Sequence, residues 1–155
     1  MTTRTKHDAI HAFAEWVPWV SNLRDPGRDV WLEPIPPGAW SLREVLTHIM
    51  HWDRNSMEIM IPRMNEGAEL FFVNIEEHNR QAALSAEQYT DWDVLIDEVI
   101  KTRLQLLDML AEVYDESVRF TIDGEAYTYG RFTGVFIHHD AHHREQVDVF
   151  LGKVL

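Results

Sequence analysis

The sequence predicts an all-α four-helix bundle, and three observations carry that prediction. Apolar residues recur at helical spacing through four long segments, polar or Pro/Gly-rich stretches separate those segments, and four of the nine histidines fall within six residues of the last one. At 155 residues, with 45% apolar and 11% aromatic content, the chain has enough apolar material for a real core. The expectation is a single four-helix-bundle domain over residues 1–155.

The first helix is expected from about Thr5 to Leu23, with Ile10, Phe13, Ala14, Val17 and Val20 on one side and Pro18 as a kink. Arg24 to Gly38 holds Pro26, Gly27, Pro34, Pro36, Pro37 and Gly38 and reads as a loop. The second helix starts at a capping box, Ser41-Leu42-Arg43-Glu44, in which Ser41 and Glu44 satisfy each other's free backbone N–H groups. It runs through Val45, Ile49, Trp52 and Ile59 toward Pro62, and His48 falls on its apolar stripe.

Residues from about Asn65 to Gln88 read as a loop and a shorter helix through Ile75 to Ala83. A third long helix follows Thr90 or Asp91, with Leu95, Ile96, Val99, Leu106, Leu110 and Val113 at the expected intervals. Arg103 falls among them as a lone polar insertion or a surface residue. Asp123-Gly124 is a favoured two-residue turn, so Val118 to Tyr129 forms a short hairpin or an irregular loop. The fourth helix runs from about Tyr129 to the end. Its seam of Phe132, Phe136, His139, His143, Gln146 and Phe150 faces the bundle.

Composition excludes several function classes. There is no cysteine, hence no disulfide framework, thiolate zinc site or cysteine nucleophile. No apolar run approaches the ~20 residues that span a bilayer, and the first ten residues lack the apolar stretch of a signal peptide, so a soluble cytoplasmic protein is expected. With 26 acidic against 14 basic side chains the net charge is −12. That balance opposes a phosphate backbone or an anionic membrane as partner.

The histidines carry the chemistry. A buried imbalance of imidazole donors and acceptors costs about 1–3 kcal/mol for each unmatched nitrogen, so histidines at core positions need hydrogen-bond partners or a metal ion. Two i,i+4 pairs exist, His138 with His142 and His139 with His143. The second pair continues the Phe132, Phe136, Phe150 seam and the first lies about 100° around the helix. His139 and His143 are therefore the pair expected to face the core, although a shifted register reverses the choice. His48, from the second helix, is the candidate third ligand, which would leave positions open for water. Taken alone, His48 reads more simply as a core histidine bonded to a carbonyl.

No His-Glu-x-x-His motif is present, and the paired Glu-x-x-His motifs of a di-iron bundle are missing. Glu44, Asp53, Glu58 and Asp140 lie near enough in sequence to orient a ligand histidine, but each reads first as an ordinary solvated carboxylate. Gln146 sits on the seam and can hydrogen-bond near the site. Trp40, Trp52, Phe132 and Phe136 are most simply core, with a pocket wall as the lesser reading.

The segments Trp40-Ser41-Leu42-Arg43-Glu44-Val45-Leu46-Thr47-His48-Ile49 and His139-Asp140-Ala141-His142-His143-Arg144-Glu145-Gln146 resemble the DinB-like, or YfiT-type, superfamily of metal-dependent enzymes. The resemblance implies a four-helix bundle with metal-binding histidines at His48, His139 and His143. It also implies a divalent ion, zinc or nickel, with open positions for water or substrate, a small-molecule substrate, a homodimer and, in some relatives, transfer of low-molecular-weight thiol adducts. Three readings follow: a metal-dependent hydrolase or thiol transferase, a non-catalytic metal- or ligand-binding stress-response module, and a purely structural metal tie between two helices. The catalytic residues, beyond the metal ligands, stay open.

Overall fold

The computed structural model describes residues 5–24, 29–36 and 40–154. Of the expected loop, Pro26, Gly27, Pro37 and Gly38 lie outside those residues. The remainder is helical, as the apolar periodicity requires, with one small sheet.

The expected first helix is two. Helix α1 (Lys6–Ala14) starts where the Thr5 hydroxyl accepts the Asp8 N–H at 3.1 Å, and α2 (Trp16–Ser21) follows after Glu15. Pro18 explains the break: its ring collides with the carbonyl four residues earlier, that of Ala14, and it has no N–H to offer. The chain therefore separates at Glu15 instead of bending at Pro18.

Helix α3 (Leu42–Asn55) starts at Ser41 as expected, but not through the expected box. The Ser41 hydroxyl bonds the Glu44 carboxylate, and no backbone N–H is capped by the Ser41 side chain. A hydroxyl prefers a charged acceptor, since such bonds are about twice as strong as neutral ones. A π turn over Ser56–Met60 and a 3-10 turn over Ile61–Arg63 then carry the chain to Pro62 and beyond.

Helix α4 (Ile75–Ala86) is capped by Asn74, and α5 (Trp92–Val113) by Asp91, each side chain accepting from the third residue on. Strands β2 (Phe120–Ile122) and β3 (Glu125–Tyr127) form the hairpin, with Asp123 and Gly124 at φ 53° and 81°, both positive as a type I′ turn needs. A two-residue strand β1 (Glu69–Leu70) adds in parallel to β2. It is too short to leave a periodic signal in sequence. The Asp123 N–H bonds the Leu70 carbonyl at 2.9 Å, so the hairpin tip is held against the segment leading to α4. Helix α6 (Tyr129–Val154) closes the bundle.

Helix α3 packs on α4 and α5, α1 and α2 pack on α5, and α6 lies against α1 and α3. The apolar interior divides into two layers. One holds Phe13, Trp52, Leu106, Leu110, Phe132 and Phe136 and reaches the sheet; the other holds Trp16, Val45, Ile49, Leu95, Val99 and Val147. On α5, Arg103 lies between Val99 of one layer and Leu106 of the other. On α6, Asp140 lies between Phe136 and Val147. A polar layer thus crosses the middle of the bundle. Among the described residues no helix is long and apolar enough to cross a membrane.

Candidate metal centre

The periodicity of α3 places His48 inward, and His48 is 5% exposed. The α6 seam places His139 and His143 inward as well, half-buried and buried respectively, while His138 and His142 face solvent. The register expected from the phenylalanine seam is the one adopted. The three inward rings meet at their Nε2 atoms: His139 Nε2 lies 3.3 Å from that of His48 and 3.1 Å from that of His143. One ring nitrogen from each histidine lies within 4.8 Å of the others.

Three imidazole nitrogens do not gather this way for hydrogen bonding alone. His143 Nδ1 sits 2.9 Å from Gln146 Oε1, and an amide oxygen only accepts, so Nδ1 carries the hydrogen and Nε2 is a bare lone pair. The single N–H that His139 Nε2 can present satisfies one of its two neighbours. With the rings neutral, at least one pair of lone pairs is left facing or unmatched, unless a cation accepts them.

The rings are held neutral. Burial, reinforced by the neighbouring imidazoles of His139 and His143, pushes His48 down to about 2. Burial, again with His143 and His142 adding, pushes His139 to about 4. His143 is lowered by burial against the opposing hydrogen bond to Gln146. Neutral imidazole is the form that binds a metal. For bonds of ~2.0–2.1 Å at a tetrahedral ion, adjacent nitrogens stand ~3.3–3.4 Å apart, which is close to the separations here. The donor set therefore fits a divalent metal ion.

Around this cluster the structure places residues that no sequence motif singles out. His78 of α4 packs tilted against Trp52 with ring centroids 4.2 Å apart, and its ring centroid lies 5.7 Å from that of His48. His51, nearly one turn beyond His48 on α3, packs edge-on to His78 at 6.1 Å. No local pattern announces His78, because its position depends on how α4 docks on α3. Trp40 also packs on His48, with ring centroids 5.0 Å apart. Of the aromatic set, Trp52 and Phe136 line a cavity beside the histidines, whereas Phe132 is core. The lesser reading, a pocket wall, therefore holds for two of the four.

The carboxylates divide. Glu44 is engaged by Ser41, and Glu58 is exposed. Asp53 and Asp140, expected in solvent, are 1% and 6% exposed, and Arg103, expected as an insertion or surface residue, is wholly buried between them. All five guanidinium N–H groups are used. Nε and Nη2 donate to Asp53 at 2.9 and 3.1 Å, Nη1 and Nη2 to Asp140 at 2.8 and 3.1 Å, and Nη1 to the Phe13 carbonyl at 3.0 Å. The Phe13 ring lies 4.1 Å under the guanidinium. Burial raises Asp53 to about 6 against the pull of Arg103, and it raises Asp140 also. Burial would lower Arg103, but the two carboxylates drive it upward. Asp53 and His48 share α3, and Asp140 adjoins His139 on α6. The triad therefore locks together the two helices that carry the histidines.

A family model described as the DinB superfamily matches residues 8–147. The chain belongs to the DinB superfamily. Among solved structures, YfiT from Bacillus subtilis superposes on this DinB-superfamily chain with a TM-score of 0.78 at 16% identity, covering 99% of this chain and 89% of that one. That protein is described as a probable metal-dependent hydrolase with an unusual four-helix bundle topology. At such identity the likeness establishes the four-helix-bundle fold, and chemistry must be argued from the residues. No curated protein matches the sequence.

Proposed function

We propose that the chain is a metal-dependent enzyme, a hydrolase in the first reading, that acts on a small molecule with His48, His139 and His143 as its metal ligands. The observation that carries this reading is the convergence of three neutral Nε2 atoms, two of whose rings, His48 and His139, line a cavity. The description of the similarly folded YfiT as a probable metal-dependent hydrolase supports it. Zinc or nickel suits the all-imidazole donor set. A bound divalent ion supplies Lewis acidity and lowers the pKa of water to about 7.

The rest is done by this chain's own side chains. Gln146 holds the His143 ring in the tautomer whose Nε2 faces inward, and Trp40 and Trp52 pack about His48. Transfer of a low-molecular-weight thiol is the alternative reaction at the same centre. A net charge of −12 supports a small-molecule partner over a nucleic acid. The homodimer belongs to the same proposal, and sedimentation tests it.

Defined loading with zinc or nickel, followed by desalting and elemental analysis, tests the ligand set. Wild type is expected to retain about one ion per chain and a His139→Ala, His143→Ala variant almost none. Equal, negligible metal in both defeats the proposal. Metal-dependent ester hydrolysis that disappears in the variant separates an enzyme from a binding module. Gln146→Ala removes the acceptor that orients His143, and a competition titration with a chromophoric chelator is expected to show metal affinity reduced about 10–100-fold. Unchanged affinity would mean that the amide does not orient the ligand.

A further inference from the structure

The cavity beside the three histidines has a volume of about 470 Å³, a size that suits a small organic molecule. Its walls come from three places that the fold brings together: Trp52 of α3, Phe72 and Val73 of the segment before α4, and Val135 and Phe136 of α6. His48 and His139 form part of the same wall, so a molecule seated there has its reacting bond beside the imidazole cluster and its remainder against apolar side chains. The small sheet makes this possible. The Asp123 N–H to Leu70 carbonyl bond ties the hairpin tip to the strand that leads into Phe72.

The charge of the lining is one-sided. No lysine or arginine contributes to it among the described residues, and the one formally charged member is the carboxylate of Asp123 at the hairpin tip. His138 and His142, exposed on the α6 flank, complete the polar part of the rim. A carboxylate or phosphate seated against the apolar wall would lose its hydration without gaining a lysine or arginine partner. A neutral aryl or alkyl group would gain by leaving water for the apolar wall.

We infer that the substrate is a neutral ester or amide with an apolar aryl or alkyl acyl group, which the Trp52, Phe72, Val135 and Phe136 wall binds while its carbonyl lies against His48 and His139. This inference rests on the reading of the three histidines as the reacting centre. In hydrolysis of such an ester, the oxygen of water bonds to the carbonyl carbon and the acyl carbon–oxygen bond breaks. The departing alkoxide oxygen takes up a proton from the water, giving an alcohol and a carboxylic acid. The acid ionises at neutral pH, and the lining then offers its carboxylate no lysine or arginine. Recognition and release thus follow from one property of the wall.

The test compares a matched pair of probes, naphthalene carboxamide and naphthalene carboxylate, titrated calorimetrically into the full chain near neutral pH, both metal-loaded and after chelation. The chelated arm removes any direct attraction of the carboxylate to a metal ion. The carboxamide is expected to bind at least about tenfold tighter than the carboxylate to the chelated protein, a preference worth about 1.4 kcal/mol. Val135 is 39% exposed, so Val135→Lys is expected to fold, as circular dichroism will show. It should weaken the carboxamide and strengthen the carboxylate.

Equal or tighter carboxylate binding by the chelated wild type overturns the inference, as does a Val135→Lys protein with unaltered preference. The two proposals fail separately. Metal retention without carboxamide binding sinks the substrate class alone, and carboxamide binding without metal retention sinks the metal centre while leaving the cavity's preference in place.

Discussion

Replacing Arg103 with methionine is expected to cost about 3–5 kcal/mol of folding stability, because it leaves Asp53 and Asp140 buried with no opposing charge. For a chain of this length each kcal/mol moves the thermal midpoint by about 2–4 °C, so the midpoint should fall by roughly 6–20 °C. The same comparison should be made in urea, where the midpoint falls and the slope stays constant if two-state unfolding is kept. A loss below about 1 kcal/mol would show that the triad is not paired in solution as its geometry implies.

A companion variant separates two roles for the triad. Asp53→Leu, Arg103→Met and Asp140→Leu together remove all three charges and should recover most of the loss, since buried ion clusters are often replaceable by apolar groups. If stability returns but metal affinity does not, the triad's role is to set α3 against α6 and so to bring His48 to His139 and His143. That outcome distinguishes positioning from mere stabilisation. A variant that stays as unstable as Arg103→Met would instead trace the loss to the contact of Arg103 with Phe13.

In the sequence, Arg103 is a residue whose chemical type and spacing point in opposite directions. By type it belongs at the surface, as Asp53 and Asp140 do. By spacing it stands four residues after Val99 and three before Leu106, on the buried stripe of α5. Asp53 follows Ile49 by four and Asp140 follows Phe136 by four, so all three charges occupy inward positions by the same periodicity that locates His48. The structure decides for spacing, because one cation and two anions on three core stripes can neutralise one another. That complementarity is legible in the sequence only when the three stripes are considered together.

Other features are legible because they are local. The Asp91 cap, the Asp123-Gly124 turn and the α6 register depend on residues within a few positions of each other. The break between α1 and α2 is half legible: Pro18 announces a disturbance but not that it falls at Glu15, nearly one turn earlier. His78 against Trp52, the parallel strand Glu69–Leu70 and the cavity depend on docking between distant segments. No spacing rule within one segment encodes them.

Adding zinc or nickel to the metal-free chain is expected to raise its unfolding free energy by about 4 kcal/mol when free metal stands near a thousandfold above its dissociation constant. His48→Ala should abolish most of that gain, because removing the α3 ligand leaves only the two α6 histidines. The metal-free protein should also lose stability on acidification, and the sign follows from the histidines. His48 and His139 stay neutral in the fold to about 2 and about 4, and His51, His78 and His143 are lowered as well. The unfolded chain protonates them below their usual value of about 6.5. Their contribution is therefore complete above that value and drains away as pH falls toward the folded values, at about 1.4 kcal/mol per pH unit for each net proton.

Asp53 works in the opposite sense. Burial raises it to about 6, so the native state takes up its proton first and gains relative stability between that value and the usual carboxylate range. Asp140 is raised also. Five lowered histidines against two raised carboxylates leave the unfolded chain with the net proton excess, and stability falls with pH across the window from about 6.5 to about 4. Thermal unfolding of the chelated protein at about pH 7 and about pH 5, repeated with metal at each, measures both effects. A midpoint that neither metal nor pH moves would contradict the fold's account of the histidines. A midpoint that pH moves and metal does not would retain their burial and remove the metal from the proposal.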